Sequence, residues 1–215
     1  MKAIQRVRQI INDPLSTYKY FERTVAAVCI SLPLILRLAD FDPGTCLPCE
    51  KWESGFRWCI SDYAYMWHSY YFGMMLTMAS MLFMVNGVVY FRSERTLQLS
   101  PKGKWYNFIL GLSLLGVVLF PYKQHPIPHY GFAIVFFAGN AIVPLLYSKK
   151  KNRPAGIVLA VLTLISFIVY LIRPAMLSLL WAEWISLAVI GIHFILEASG
   201  TNVAVEGNRL STLTP

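Results

Sequence analysis

The stretch AGIVLAVLTLISFIVYLI, residues 155–172, decides the fold, because it holds eighteen consecutive residues without a charge. A helix of that length rises about 27 Å at ~1.5 Å per residue, close to the roughly 30 Å of hydrocarbon in a bilayer. Over the whole chain of 215 residues, 56% are apolar and 14% are charged, whereas a soluble domain has about 45–50% and 25%. A soluble globular protein is therefore excluded.

Five further apolar stretches are separated by polar or proline-containing connections. Together they predict an all-α fold, a polytopic membrane bundle of six helices, with spans at residues 24–38, 65–91, 105–120, 129–147, 155–172 and 177–196. Residues 1–23 are predicted to be a basic cytoplasmic segment ahead of this transmembrane domain, residues 24–198. The polar residues 199–215 lack periodicity and are predicted to form a disordered cytoplasmic tail.

The distribution of basic residues predicts the orientation, because short loops rich in Lys and Arg stay cytoplasmic. Of the nineteen Lys and Arg residues, those on the opposite face are Arg37, Lys51, Arg57, Lys123 and Arg173. Both termini are therefore predicted to be cytoplasmic, in a plasma membrane or a bacterial inner membrane. We predict that the basic residues behind the net charge of +8 contact anionic lipid headgroups at that face and not nucleic acid.

Ionisable residues gather at the outer end of the predicted spans. Asp62 precedes span two, His68 lies about one turn inside it, His129 opens span four and Glu183 lies near the outer end of span six. Charged groups in a membrane need a partner or a water-filled pocket. The four are therefore candidate catalytic residues of one outer-leaflet pocket, either an acid-base site or a metal site, although they identify no particular metal or cofactor. The alternative is a structural cluster in which Arg37 pairs with Glu183.

Three cysteines, Cys46, Cys49 and Cys59, fall in the first outer loop. An oxidising compartment would allow a disulfide there, and we predict one disulfide among the three. Two alternatives stay open. Cys46 and Cys49 have the spacing of a redox pair, and three thiols with a nearby histidine could bind zinc.

Short motifs at the polar positions resemble those of a known family. The motifs are Ile60-Ser61-Asp62, Phe120-Pro121, His129-Tyr130, Phe136-Phe137 and Glu183-Trp184. In their order and their placement on successive spans they resemble the Frag/DRAM/Sfk family and its bacterial relatives of unknown function, over about residues 24–196. That family consists of similar six-span proteins linked to lipid handling, namely remodelling of GPI-anchor lipids, modulation of autophagy and control of phospholipid distribution.

The resemblance implies that Asp62, His129 and Glu183 are the matching functional residues. The leading hypothesis is a protein of lipid metabolism that binds a membrane lipid and acts on it as a hydrolase or acyltransferase. In it His129 is the general base, Asp62 is its orienting carboxylate or a metal ligand, and Glu183 is a second acid. The residues expected to contact the lipid are Arg37, Tyr130 and Trp184.

Two other functions are considered. The first is a non-catalytic scaffold or regulator of lipid distribution, which uses the same pocket to sense lipid and its basic inner face to bind a protein partner. The second, a transporter, is disfavoured because the sequence shows no internal repeat and no glycine-broken helix at mid-membrane depth.

Overall fold

The computed structural model describes residues 14–40, 55–97, 105–147 and 153–212. Within these ranges every secondary-structure element is a helix and none is a strand, which confirms the all-α prediction. The long helices are α1 (Pro14–Ala39), α2 (Tyr70–Leu97), α3 (Tyr106–Leu119), α4 (Pro126–Tyr147), α5 (Arg153–Ile172) and α6 (Leu179–Thr212). A short 3-10 helix, η1, spans Ile60–Tyr65 between α1 and α2.

Each long helix coincides with one predicted span, but the ends differ. α1 begins earlier, at Pro14, a residue whose fixed φ suits the first position of a helix. α2 begins later, at Tyr70, because η1 occupies the preceding segment. α6 continues to Thr212, so residues 199–212 extend the last helix where a disordered tail was predicted. A helix that is already formed gains one hydrogen bond for each residue added, without a new nucleation cost.

Four helical segments are long and apolar enough to cross a membrane: Tyr70–Val88, Pro126–Leu146, Arg153–Ile172 and Leu179–Ser199. α3 is apolar but shorter, with 14 residues. α5 is the least covered by the rest of the protein, and Val158, Leu162, Ile165 and Ile168 on it are all exposed. Exposed apolar surface of this extent marks a protein that interacts with a membrane or partner, and the segment lengths identify the membrane.

Consecutive helices pack against each other, and α1 also packs against α6, so that the six helices form a closed ring. α2 and α3 approach closely at Gly111, where a Cβ atom would lie 2.6 Å from the carbonyl oxygen of Ser80. The Ser80 hydroxyl donates a hydrogen bond of 2.7 Å to the carbonyl of Gly111. The absence of a side chain at Gly111 therefore permits a contact between helix backbones.

The connections α1–α2, α3–α4 and α5–α6 meet at one end of the ring. The Leu180 amide donates a 2.9 Å hydrogen bond to the carbonyl of Trp58, and the Lys123 amide donates one of 3.0 Å to the Tyr65 hydroxyl. These bonds fasten the segment around η1 to the first turn of α6 and to the connection between α3 and α4. The polar side chains that the sequence singled out lie at this end.

Candidate functional site

A cavity of about 530 Å³ lies at this end and extends between α4 and α5. Its polar end is lined by Cys59, Ser61, Asp62, Tyr122, His129 and Glu183. The rest is mainly apolar and includes Ala133, Ile134, Phe137, Ala138, Ala141, Leu164, Phe167 and Leu171. Ile134 is 66% exposed and Leu171 is 75% exposed. The cavity therefore opens to the outer surface of the bundle between the two helices.

Ser61 and His129 form a hydrogen-bonded pair in the wall of the cavity. The Ser61 Oγ lies 3.0 Å from the His129 Nε2, and the His129 Nδ1 lies 2.7 Å from the carbonyl oxygen of Phe120. Because a carbonyl oxygen can only accept, the neutral imidazole carries its proton on Nδ1, which leaves Nε2 as the acceptor for the serine hydroxyl. The pair thus has the geometry of a nucleophile and its general base.

The position of His129 follows from the local sequence. α3 ends at Leu119, and Pro121 cannot donate the next backbone bond of a helix. The amides of Gln124 and His125 both donate to the Pro121 carbonyl, which leaves the Phe120 carbonyl to accept a bond from the imidazole. His129 lies in the first turn of α4, where it is buried. The prediction of Asp62 as the residue that orients His129 is wrong, because this backbone carbonyl occupies the Nδ1 side of the ring.

Asp62 instead organises η1 and the cavity mouth. Its Oδ2 accepts a 3.3 Å hydrogen bond from the amide of Cys59, and its Oδ1 accepts a 2.5 Å bond from the hydroxyl of Tyr122. The first contact caps the 3-10 helix, and the second ties it to the connection between α3 and α4. Burial and the bond to the Asp62 carboxylate raise the pKa of Tyr122 above its ordinary range, so the phenol stays protonated.

Glu183 joins α6 to the start of η1. Its Oε2 accepts a 2.7 Å hydrogen bond from the backbone amide of Ile60, and its side chain is buried in the wall of the cavity. The predicted ion pair with Arg37 does not form. The Arg37 guanidinium lies over the ring of Phe56, with Cζ 5.9 Å from the ring centroid.

Some predicted site residues lie away from the cavity. Tyr130 lines the cavity, and its contact with a lipid stays a prediction. Trp184 faces α1 and donates a 2.9 Å hydrogen bond from Nε1 to the carbonyl of Ile30. Arg37 is on that same side of the bundle. His68 lies in the turn before α2 and not inside it, and its Nδ1 is 3.2 Å from the Tyr70 hydroxyl. The structure therefore gathers Asp62, His129 and Glu183, and leaves His68 outside.

The predicted cysteine loop is described only at one of its three thiols. Cys59 is a free, buried cysteine that lines the cavity, whereas Cys46 and Cys49 lie outside the described residues. A disulfide that uses Cys59 is thus not formed, and a bridge between the other two stays a prediction. Burial, followed by the charges of Glu183 and Asp62, raises the pKa of Cys59 well above its ordinary value. Within the described ranges no three His, Cys, Asp or Glu side chains group as metal ligands.

The apolar part of the cavity contains one unusual polar atom. Thr163 on α5 is 1% exposed, and its hydroxyl oxygen has no hydrogen-bond partner among the residues that the structure describes. A buried hydroxyl left without a partner costs about 1–3 kcal/mol.

Sequence reasoning missed Ser61 as the partner of His129 and the carbonyl of Phe120 as its support. Ser61 was visible only as the middle residue of a three-residue motif, where a serine before a helix is most often a cap. A backbone carbonyl leaves no signal in a sequence at all.

A family described as "Family of unknown function (DUF7103)" matches residues 31–198. The matched range runs from within α1 to within α6 and includes every residue that lines the cavity. No curated protein matches the chain, and no solved structure does.

Proposed function

The chain belongs to the DUF7103 family of unknown function, and from the geometry of its cavity we propose what it does. It is a six-span integral membrane protein that binds a membrane lipid between α4 and α5 and remodels that lipid as a hydrolase or acyltransferase. The resemblance to the Frag/DRAM/Sfk family, which is linked to lipid handling, supports the same proposal.

The shape of the cavity carries this proposal. Along α4 it runs from Tyr130 to Ala141, a rise of about 16 Å, which matches the ~15 Å of hydrocarbon in one leaflet. Polar side chains line one end, and apolar ones line the remainder, apart from Thr163 and the aromatic hydroxyl groups. A lipid has the same division between its headgroup with ester linkages and its acyl chain.

The same arrangement supports the proposed membrane topology. Six helices in a closed ring, with consecutive helices adjacent, suit six antiparallel crossings, in which α1 and the short α3 complete the four long apolar segments. The polar end of the cavity then lies at the face with few basic residues, the outer face by the positive-inside rule. The clusters around Lys102 and Lys150 lie at the cytoplasmic face, where both termini are located and anionic headgroups are bound.

The test is lipid retention by a variant with a filled cavity. Ala138 lines the cavity and is exposed to it, so Ala138→Trp should fill the cavity without compressing the core. Ile142 lies one turn further along α4, is exposed, and does not line the cavity, so Ile142→Trp is the matched control. After purification in mild detergent, mass spectrometry should detect lipid with the wild-type protein and with the control, and much less with Ala138→Trp.

Turnover is tested separately, by comparing the lipids of cells with and without the chain. Loss or gain of one acylated species supports remodelling. Retention of lipid by the purified protein with an unchanged lipid profile would favour the non-catalytic regulator. Absence of lipid from both the wild type and the control would contradict the proposal.

A further inference from the structure

We propose that Ser61 is the nucleophile of this site and forms an acyl-serine intermediate with the ester-linked acyl chain of a lipid. The inference rests on the proposed function, because it takes a lipid acyl ester to be the occupant of the cavity. It adds the residue that attacks, the bond that is broken and the class of substrate, a carboxylic ester.

The geometry of Ser61 meets the requirements of an activated hydroxyl. Its Oγ is 3.0 Å from the His129 Nε2, within the range in which a base can remove its proton. The Phe120 carbonyl, 2.7 Å from Nδ1, fixes the imidazole in the tautomer that accepts at Nε2. Both side chains line the cavity, so a substrate carbonyl there can reach the hydroxyl.

The location of Ser61 also fits the division of the cavity. It lies at the polar end, next to the first turns of the apolar wall formed by Ala133 and Phe137. An acyl chain that extends along α4 would place its carboxyl carbon at the polar end. An ester carbonyl is thus brought to the serine by the packing of the chain to which it belongs.

Cys59, two residues away, is the competing nucleophile, and two observations count against it. It is buried, and no imidazole or cationic group contacts it in the described contacts, whereas its neighbours include the carboxylates of Asp62 and Glu183. A thiol in such surroundings stays protonated and is a poor nucleophile. The hydroxyl with a base within hydrogen-bond distance is the better candidate.

The reaction then proceeds in two balanced steps. The Ser61 Oγ attacks the ester carbonyl carbon while its proton moves to the His129 Nε2. The bond between the carbonyl carbon and the ester oxygen breaks, and the leaving alkoxide takes the proton from His129, which releases the lyso-lipid. A water molecule, or the hydroxyl group of a second lipid, gives its proton to His129 and attacks the carbonyl carbon of the acyl-serine. The bond between that carbon and the Ser61 Oγ breaks, and Oγ takes the proton from His129, which releases a fatty acid or an acylated lipid and restores the serine and the neutral imidazole.

The experiment uses a biotinylated fluorophosphonate, which phosphonylates activated serines with loss of fluoride, on the full chain in detergent. Peptide mass spectrometry should find the label on Ser61. Labelling should be lost in Ser61→Ala and should fall by at least about 100-fold in His129→Asn, because a positioned base contributes that much or more. His129→Asn retains an amide donor for the Phe120 carbonyl. Ser69→Ala, which removes an exposed serine from the same segment, should be labelled like the wild type.

A second pair of variants keeps the test decisive if Ser61→Ala does not fold. Ser61→Cys keeps a nucleophilic side chain of similar size, and it should react rapidly with iodoacetamide at position 61. The double variant Ser61→Cys/His129→Asn should react slowly at that position. If the wild-type protein retains lipid but is not labelled at Ser61, the assignment of Ser61 as the nucleophile is overturned and the proposal of lipid binding still stands. If Ser61 is labelled but the protein retains no lipid, Ser61 is an activated serine and the proposed lipid substrate is wrong. Equal labelling of His129→Asn and the wild type would overturn the assignment of His129 as the base.

Discussion

Arg57 and Asp40 form a bidentate ion pair in the interior of the protein. The Arg57 Nε lies 2.9 Å from the Asp40 Oδ2 and its Nη2 lies 2.8 Å from Oδ1, and the two side chains are 1% and 0% exposed. The guanidinium also lies over the ring of Tyr63, with Cζ 5.7 Å from the centroid. The pair joins the end of α1 to the segment that leads into η1, and so holds Ser61 in place through the backbone.

Arg57→Met should therefore destabilise the protein by about 3–5 kcal/mol, because it leaves a buried carboxylate without its main partner. The double variant Arg57→Met/Asp40→Leu should recover much of this loss, since no buried charge remains. Thermal unfolding in detergent, followed by size-exclusion chromatography of heated samples, measures both. Equal unfolding temperatures for Arg57→Met and wild type would show that the pair contributes little.

Glu183→Leu should cost about 1–3 kcal/mol, because the amide of Ile60 then loses its acceptor in a buried position. Glu183→Gln is the matched control, since its side-chain oxygen can still accept that bond, and it should cost less than Glu183→Leu. The same thermal assay compares them. If the glutamine variant is no more stable than Glu183→Leu, the hydrogen bond from the Ile60 amide contributes little to stability.

Gly111→Ala should loosen the contact between α2 and α3, because the added Cβ would lie 2.6 Å from the Ser80 carbonyl oxygen. Overpacking of this kind costs about 1–3 kcal/mol. Gly73, on α2, has no atom within 4 Å of the equivalent position, so Gly73→Ala should gain about 0.5–1 kcal/mol from the helix preference of alanine. Opposite shifts in unfolding temperature are expected, and a rise in the unfolding temperature of Gly111→Ala would argue against the close helix contact.

The helices could be predicted because each depends on a property of its own sequence. The charge-free stretch at residues 155–172 is a helix over almost the same bounds. The partners of buried amides are less predictable. Asn107 on α3 donates a 2.5 Å hydrogen bond to Asn86 on α2, whereas Asn140 donates to the carbonyl of Phe136 on its own helix, since an amide side chain can be satisfied locally.

The candidate site could be predicted only in part, because it depends on directions around helices and on backbone atoms. Glu183 and Trp184 are adjacent in sequence, yet about 100° apart around α6, so one faces the cavity and the other faces α1. Arg37 lies on the side of Trp184, and the expected pairing with Glu183 is therefore wrong. His129 is buried between Ser61 and Phe120, which its place at the start of a span does not indicate, so His129→Ala should lower stability as well as activity.

Cys59 should resist alkylation in the folded protein. Its pKa is raised, first by burial and then by the neighbouring carboxylates, so at pH 8 the thiol is protonated and shielded. An unfolded thiol ionises near pH ~8.5 and the folded one only at higher pH. The protonated thiol therefore contributes its full stabilisation below the pKa of the unfolded thiol. That stabilisation declines as the pH rises from there towards the pKa of the folded thiol.

The variant Cys46→Ser/Cys49→Ser isolates this effect, with Cys59→Ala added as the control. N-ethylmaleimide at pH 8 should modify Cys59 slowly in the native protein and rapidly after heating. Between pH 9 and 10 the unfolding temperature should fall more than it does in the Cys59→Ala control. Rapid modification of the native protein would show that the thiol is accessible and ionised.

The outer-leaflet location of the cavity depends on the orientation of the protein in the membrane. Lys123 is exposed in the connection between α3 and α4, at the cavity end, whereas Lys150 belongs to the basic cluster of the connection between α4 and α5. Since α4 lies between them, the two positions are expected on opposite faces.

In intact cells that carry the Cys46→Ser/Cys49→Ser background, a membrane-impermeant maleimide should label Lys123→Cys and should label Lys150→Cys only after the membrane is opened. The native Cys46 and Cys49 should be labelled from outside after reduction, but buried Cys59 should not. Labelling of Lys150→Cys in intact cells would invert the topology and place the cavity in the inner leaflet.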